Sequence, residues 1–152
     1  MKEARTAHTI LLASLILVGM LLMQGCSEGP RVRFVGDDKT RTLADVDRAA
    51  ESLQAGPAAS VTVKDAPEVR QRVLAGMRGD GALAAQAADF MTRQFPPVTK
   101  AVPYYVEAAR IDGRPCWVIV EAWGGRTGNL VFRRLWVFDR ETGGVLDSRT
   151  YR

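Results

Sequence analysis

The side chains that could carry a reaction are four carboxylates in the C-terminal half of the chain: Glu107, Glu121, Asp139 and Asp147. Two carboxyl groups about 5–9.5 Å apart across a cleft, one held protonated, hydrolyse glycosidic bonds without other help. The other catalytic side chains are scarce. The single histidine is His8, in an N-terminal stretch that leads into an apolar run, and the two cysteines are Cys26 and Cys116. If that stretch is removed, no imidazole remains for base catalysis or metal binding. A Ser-His-Asp triad, a Cys-His pair and a zinc site are then excluded for the chain acting alone, and no cofactor or metal ligand set is legible. A carboxylate-only enzyme acting on glycans remains as an alternative, although no Asp or Glu pair stands in a context that marks it. Cys116 lies in an apolar run and reads as a buried structural thiol.

The elements that must position these groups change period midway. Thr42 with Asp45 three residues on makes a capping box. Leu43, Val46, Ala49, Ala50 and Leu53 then recur at helical spacing, up to Gly56-Pro57. Val61 and Val63 alternate with polar residues as a short strand would. Asp65, Pro67 and Glu68 open a second helix, and a third runs over 82–94 until Pro96-Pro97 stops it. Beyond Ala101 the pattern alternates. Segments 104–111, 116–123, 130–139 and 145–151 read as strands joined by short Gly-containing hairpins. Val32 to Val35 is a short strand or an extended tether. Helices first and a meander second predict an α+β fold, with two or three N-terminal helices packed on one face of a four-stranded antiparallel meander. Trp136-Val137-Phe138-Asp139 followed by Thr142-Gly143-Gly144-Val145-Leu146 resembles the cystatin-like and PepSY-like small exported domains. Members of those groups mostly bind or modulate other proteins, so the resemblance implies a non-catalytic module.

All three tryptophans fall in the second and third of these strands. A hairpin closed by Gly124 to Asn129 pairs Trp123 with Leu130, Trp117 with Trp136, Ile119 with Arg134 and Glu121 with Phe132. An even loop length puts Trp117, Ile119, Glu121, Trp123, Phe132, Arg134 and Trp136 on one face, joined by Tyr104, Val106 and Arg110. Cys116, Val118, Val120, Ala122, Val131, Leu135 and Val137 occupy the other, which is uniformly apolar apart from Arg133 and is expected to face the helices. The first face mixes aromatics with the Glu121–Arg134 pair, which suits a partly solvated binding surface built on Trp117, Glu121, Trp123, Arg134 and Trp136. Cross-strand aromatic pairs also stabilise a sheet with no ligand. A binding face predicts that Trp117→Ala with Trp136→Ala folds normally and loses its partner. A second candidate is the basic set Arg126, Arg133, Arg134, Arg140, Arg149 and Arg152.

The N-terminus addresses the compartment. Lys2 and Arg5 precede an apolar run of fourteen residues, Ile10 to Met23, which ends at Leu22-Met23-Gln24-Gly25-Cys26. As a helix the run spans about 21 Å, short of the roughly 30 Å bilayer core, and its flanks are those of a secretory signal peptide. Gly25-Cys26 resembles the lipobox of bacterial lipoprotein precursors, with Met23 where leucine is usual and Gln24 where a small residue is usual. The resemblance implies cleavage after residue 25, lipidation of Cys26 and anchoring to the extracytoplasmic side of a membrane. Ser27, in place of the aspartate that retains such proteins at the inner membrane, implies the outer membrane in a Gram-negative host. Residues 26–41 then form the lipidated tether and 42–152 one domain. The formal charge of the 152-residue chain is +4, a mild excess. The expected partners are the membrane, through the lipid, and an envelope protein or acidic glycan, with no nucleic acid.

Overall fold

The structure is a computed structural model that describes residues 29–152. Residues 1–25, read from the sequence as a signal segment, and Cys26 lie outside the described residues. The chain order is β1 (Arg33–Arg41), α1 (Leu43–Ser52), a 3-10 helix (Gly56–Ser60), α2 (Ala66–Arg78), α3 (Ala82–Gln94), β2 (Ala101–Ile111), β3 (Arg114–Trp123), β4 (Phe132–Asp139) and β5 (Val145–Tyr151). The fold is α+β, as expected. The sheet, however, has five strands in the order β1-β2-β3-β4-β5, with β1 parallel to β2 and the remaining pairs antiparallel. Residues 33–41, read as the end of a tether, supply the additional strand. A parallel neighbour requires a long crossover, and 42–100 provides one that carries every helix among the described residues.

Both faces of this sheet are covered, which corrects the expectation of helices on one face only. On one side Val46 and Ala50 of α1 and Ala58 of the 3-10 helix pack with Cys116, Val118, Val120, Leu135 and Val137. On the other, Leu74 and Met77 of α2 and Ala87, Phe90 and Met91 of α3 pack with Val106, Ala108, Trp117, Ile119 and Phe138. Burial of β2 is accordingly continuous, and Arg110 is its one exposed residue. Strands buried on both sides lose the apolar–polar alternation of a half-solvated sheet.

Local signals account for most element ends. Thr42 accepts from the Asp45 N–H at 3.1 Å and the Asp45 carboxylate accepts from the Thr42 N–H at 3.3 Å, which completes the capping box of α1. The carbonyls at its other end are met by Arg133, which donates to Glu51 O at 2.8 Å and Leu53 O at 2.7 Å. This explains the one charge on the otherwise apolar sheet face: a cation suits a helix C-terminus. Gly56-Pro57 begins the 3-10 helix rather than ending α1. Val61 and Val63 flank Thr62, which makes an isolated bridge to Asn129 in place of a strand. Asp65 makes no side-chain cap for α2. Instead Thr62 Oγ1 accepts from the Asp65 N–H at 3.2 Å and donates to its carboxylate at 2.7 Å.

The β2–β3 turn is Asp112-Gly113, with both residues at positive φ and Ile111 paired with Arg114. That is the two-residue hairpin whose twist matches its strands. Gly124 has another constraint, since a Cβ there would lie 2.4 Å from Val63 Cγ2 and 3.2 Å from Asn129 O. Val63 is a short, stiff side chain that cannot swing away. Gly124→Ala is therefore expected to cost about 1–3 kcal/mol by overpacking, read as a lowered urea midpoint with an unchanged m-value.

Candidate functional site

The β3–β4 register has Trp123 opposite Phe132, Glu121 opposite Arg134, Ile119 opposite Trp136 and Trp117 opposite Phe138. The connection is two residues longer than expected, 124–131. Because both lengths are even, the strand faces keep their composition while each pair shifts by two residues. A bulge between Pro103 and Tyr105 moves Tyr104 to the α1 side, where it joins Tyr105.

The part of the aromatic face around Trp117, Ile119, Trp136 and Phe138 lies beneath α2 and α3. Trp117 is 4% exposed and Glu121 fully buried, while Trp123, Arg134 and Trp136 are half-buried. Phe138 packs edge-on to Phe90 at 5.1 Å between ring centroids and stacks on Trp136 at 5.8 Å. Large aromatic surfaces are buried wherever a helix pair can cover them, and the alanines of α3 allow that close approach.

Glu121 is the hub of this layer. Its Oε1 accepts from Arg134 Nη2 at 2.6 Å, Arg134 Nε at 3.1 Å and Trp136 Nε1 at 2.9 Å. Its Oε2 accepts from Arg70 Nη1 at 2.9 Å, and that same nitrogen donates to Ala101 O at 3.1 Å. Arg70 reaches down from α2, is itself buried, and lies over the Phe95 ring at 4.8 Å. Arg134 lies over Trp136 at 4.7 Å and Trp123 at 5.4 Å. Desolvating such charges costs several kcal/mol per ion, and good geometry with further hydrogen bonds is needed to offset it. Sequence reasoning found Glu121, Arg134 and Trp136. It missed Arg70, whose place on the inner face of α2 breaks the apolar stripe and was the available signal.

The four carboxylates do not converge. Glu107 lies on the α1 side, paired with Val118, where it accepts from Arg41 Nε at 2.9 Å and the Tyr105 hydroxyl at 2.8 Å. Glu121 lies on the opposite face. Burial, together with the Glu107 carboxylate, pushes the Tyr105 hydroxyl well above its ordinary value. Asp139 accepts from the backbone N–H groups of Thr142 at 3.0 Å and Glu141 at 2.8 Å. Those bonds hold its carboxyl below the usual range, so the support it gives the β4–β5 turn is present at neutral pH and lost as pH falls through that depressed value. Asp147 sits on β5 beside Arg149. Among the described residues no three His, Cys, Asp or Glu side chains gather as a metal site, and no helix is long and apolar enough to cross a membrane.

Cys116 is fully buried, and burial pushes its thiol up. Only a thiolate reacts, so labelling of Cys116 by a disulfide reagent is expected to occur no faster than global unfolding. A rate that follows the urea dependence of unfolding would show this.

The basic set is largely engaged. Arg133 meets α1, Arg134 meets Glu121, Arg140 pairs with Asp38, and Arg149 with Asp47. Arg126 instead joins Lys64 and Lys100 around a surface concavity of about 500 Å³ with Pro67, Val98 and Val63 in its walls. All three cations are exposed, none has an ion pair among the described residues, and Val98 is 73% exposed. Sequence reasoning missed this group because its members come from three separate connections, before α2, before β2 and after β3. No known family, curated protein or solved structure matches the chain.

Proposed function

We propose that this protein is a lipid-anchored, non-catalytic binding module of the bacterial cell envelope. In this reading Cys26 carries the lipid, residues 27–32 lead to the domain, and the module holds an acidic envelope polymer on the side formed by Lys64, Lys100 and Arg126. The observation that carries it is the convergence of three exposed cations, without an ion pair among the described residues, on one concavity with an apolar wall, while most other described arginines are engaged. Such a site attracts an anionic chain over several ångströms and lets its sugar rings or aliphatic parts rest on Val98 and Pro67. The acids support the same reading, since Glu107 is held by Arg41 and Glu121 by Arg70 and Arg134, on opposite faces of the sheet.

Two measurements test it. The N-terminal peptide from the membrane fraction is expected to begin at Cys26 and to carry a diacylglyceryl mass; an unmodified peptide near Met1 would remove the anchor. The full chain in detergent is expected to bind polygalacturonate, an acidic glycan, with an affinity that falls as salt rises. Changing Lys64, Lys100 and Arg126 together to glutamine should weaken binding at least about tenfold, equivalent to about 1.4 kcal/mol. A control set of exposed cations, Arg33, Arg93 and Arg114, should have little effect. Equal losses in both sets would mean a diffuse charge effect and no site.

A further inference from the structure

The sheet ends in two unequal edges. Gly36-Asp37-Asp38-Lys39 interrupts β1, whereas β5 reads Val-Leu-Asp-Ser-Arg-Thr-Tyr over 145–151, with no lysine or proline to blunt it. Its one bulge, opposite Val137, falls at Leu146. Asp139 donates to Gly144 O at 2.9 Å and accepts from the Gly143 N–H at 2.9 Å, so its backbone groups point at β5. Those of Val137 and Leu135, two and four residues back along β4, point the same way and are met by Asp147 and Arg149. Ser148 and Thr150 alternate with these two, so their N–H and C=O groups point away from β4. The Ser148 N–H accordingly donates to the adjacent Asp147 carboxylate at 2.9 Å. Both Ser148 and Thr150 are exposed.

From this edge we infer that the domain pairs with a second copy of itself, β5 against β5, in an antiparallel two-fold seam that joins the two sheets. The charges set the axis at Ser148. With the axis there, the two Ser148 residues exchange both backbone hydrogen bonds, and Asp147 of each copy lies directly opposite Arg149 of the other. Opposite charges so placed stabilise a strand pair and like charges destabilise it. Moving the axis by one residue in either direction sets Arg149 against Arg149 or Asp147 against Asp147. Within one chain Arg149 Nε already donates to the Asp147 carboxylate at 3.3 Å, so in the seam the four charges alternate in sign both along and across the strands. The Asp147 oxygen that now accepts from the Ser148 N–H is released when that N–H turns to the second copy, and it can then accept from the facing arginine. The bulge confines the seam to residues 146–150 of each copy, which is short, so the dimer is concentration-dependent and not permanent. It stands or falls without the Lys64–Lys100–Arg126 concavity.

The test is disulfide trapping of the full chain in detergent, with copper–phenanthroline as oxidant and a non-reducing gel as readout. In Ser148→Cys the two cysteines face each other across the axis, with Cα atoms about 5.5 Å apart, within disulfide reach. In Thr150→Cys they are offset by about 13 Å along the strands, out of reach. Cys26 and Cys116 are common to both variants. Ser148→Cys is expected to give at least about tenfold more covalent dimer than Thr150→Cys. Adding Asp147→Arg or Arg149→Asp to Ser148→Cys should lower the yield at least about tenfold by setting like charges opposite each other. Mixing those two variants should restore it, because each then offers the other the opposite charge at both positions. Far-ultraviolet circular dichroism should be the same for all, since the changes lie on the outer edge of the sheet. Equal trapping at 148 and 150, no dimer in either, undiminished trapping in a charge variant alone, or a mixture that does not recover would overturn the proposal.

Discussion

Glu121→Leu is expected to destabilise the domain by about 3–5 kcal/mol, the usual cost of removing one partner from a buried ion cluster. The cause is less the loss of four hydrogen bonds than the two guanidinium groups left facing each other between the sheet and α2. Domains of this size are stable by about 5–15 kcal/mol, so the loss is a large share of the total. The cost should fall on that cluster and not on the glutamate as such. The triple variant Arg70→Met, Glu121→Leu, Arg134→Leu is expected to recover most of the stability, because apolar groups of similar volume replace buried ion triads at little cost. Urea unfolding of the single and triple variants measures both. A triple variant no more stable than Glu121→Leu would mean that the hydrogen bonds, and not charge balance, hold this layer.

The second large effect concerns the tryptophans. Removing a buried Trp side chain costs about 3–5 kcal/mol. Trp117 lies under α3, with Arg140 over its ring at 4.9 Å. Trp136 donates to Glu121 and stacks on Phe138. The two belong to one packed cluster, so their losses will not add simply. Together they should still exceed about 5 kcal/mol, and the double Trp→Ala variant is expected to be unfolded or close to it at 25 °C. Circular dichroism and near-ultraviolet spectra would show this. A solvated binding face requires the opposite, a double variant that folds with wild-type spectra.

The contrast between those two outcomes shows where the sequence was legible. Signals within one element came through: the Thr42–Asp45 capping box, the span 82–94, and a short glycine-containing turn after Ile111, which takes two residues and not the four, 112–115, read from the sequence. Strand parity survived too, because lengthening the β3–β4 connection by two residues returns every side chain to the same face. Which face the helices cover could not be read, since both are apolar enough to be buried and each has its own helical cover, α1 with the 3-10 helix on one side and α2 with α3 on the other. β1 was obscured for another reason. Gly36-Asp37-Asp38-Lys39 interrupts its alternation, and a register irregularity between Val35 and Lys39 follows from that. Its pairing with β2 is also long-range and leaves no local mark. At the candidate site, Glu121, Arg134 and Trp136 were legible because hairpin pairing brings them together. Arg70, and the grouping of Lys64 and Lys100 with Arg126, were not, because only the tertiary fold makes them neighbours.

The parallel pairing of β1 with β2 also orders events in time. Chains are made N-terminus first, so β1 is complete before its partner exists, and the 59 residues between them must emerge before the pair can close. Were that segment an unstructured loop, closing it would cost about 3–4 kcal/mol in chain entropy. α1 to α3 are local and quick to form, and their docking on the later meander shortens the effective loop. β1 then adds at the edge of an assembled sheet as a late step, and until that moment its unpaired N–H and C=O groups are open to another chain. Lys39 and the interrupted register keep that edge from being a long, flat template during the wait.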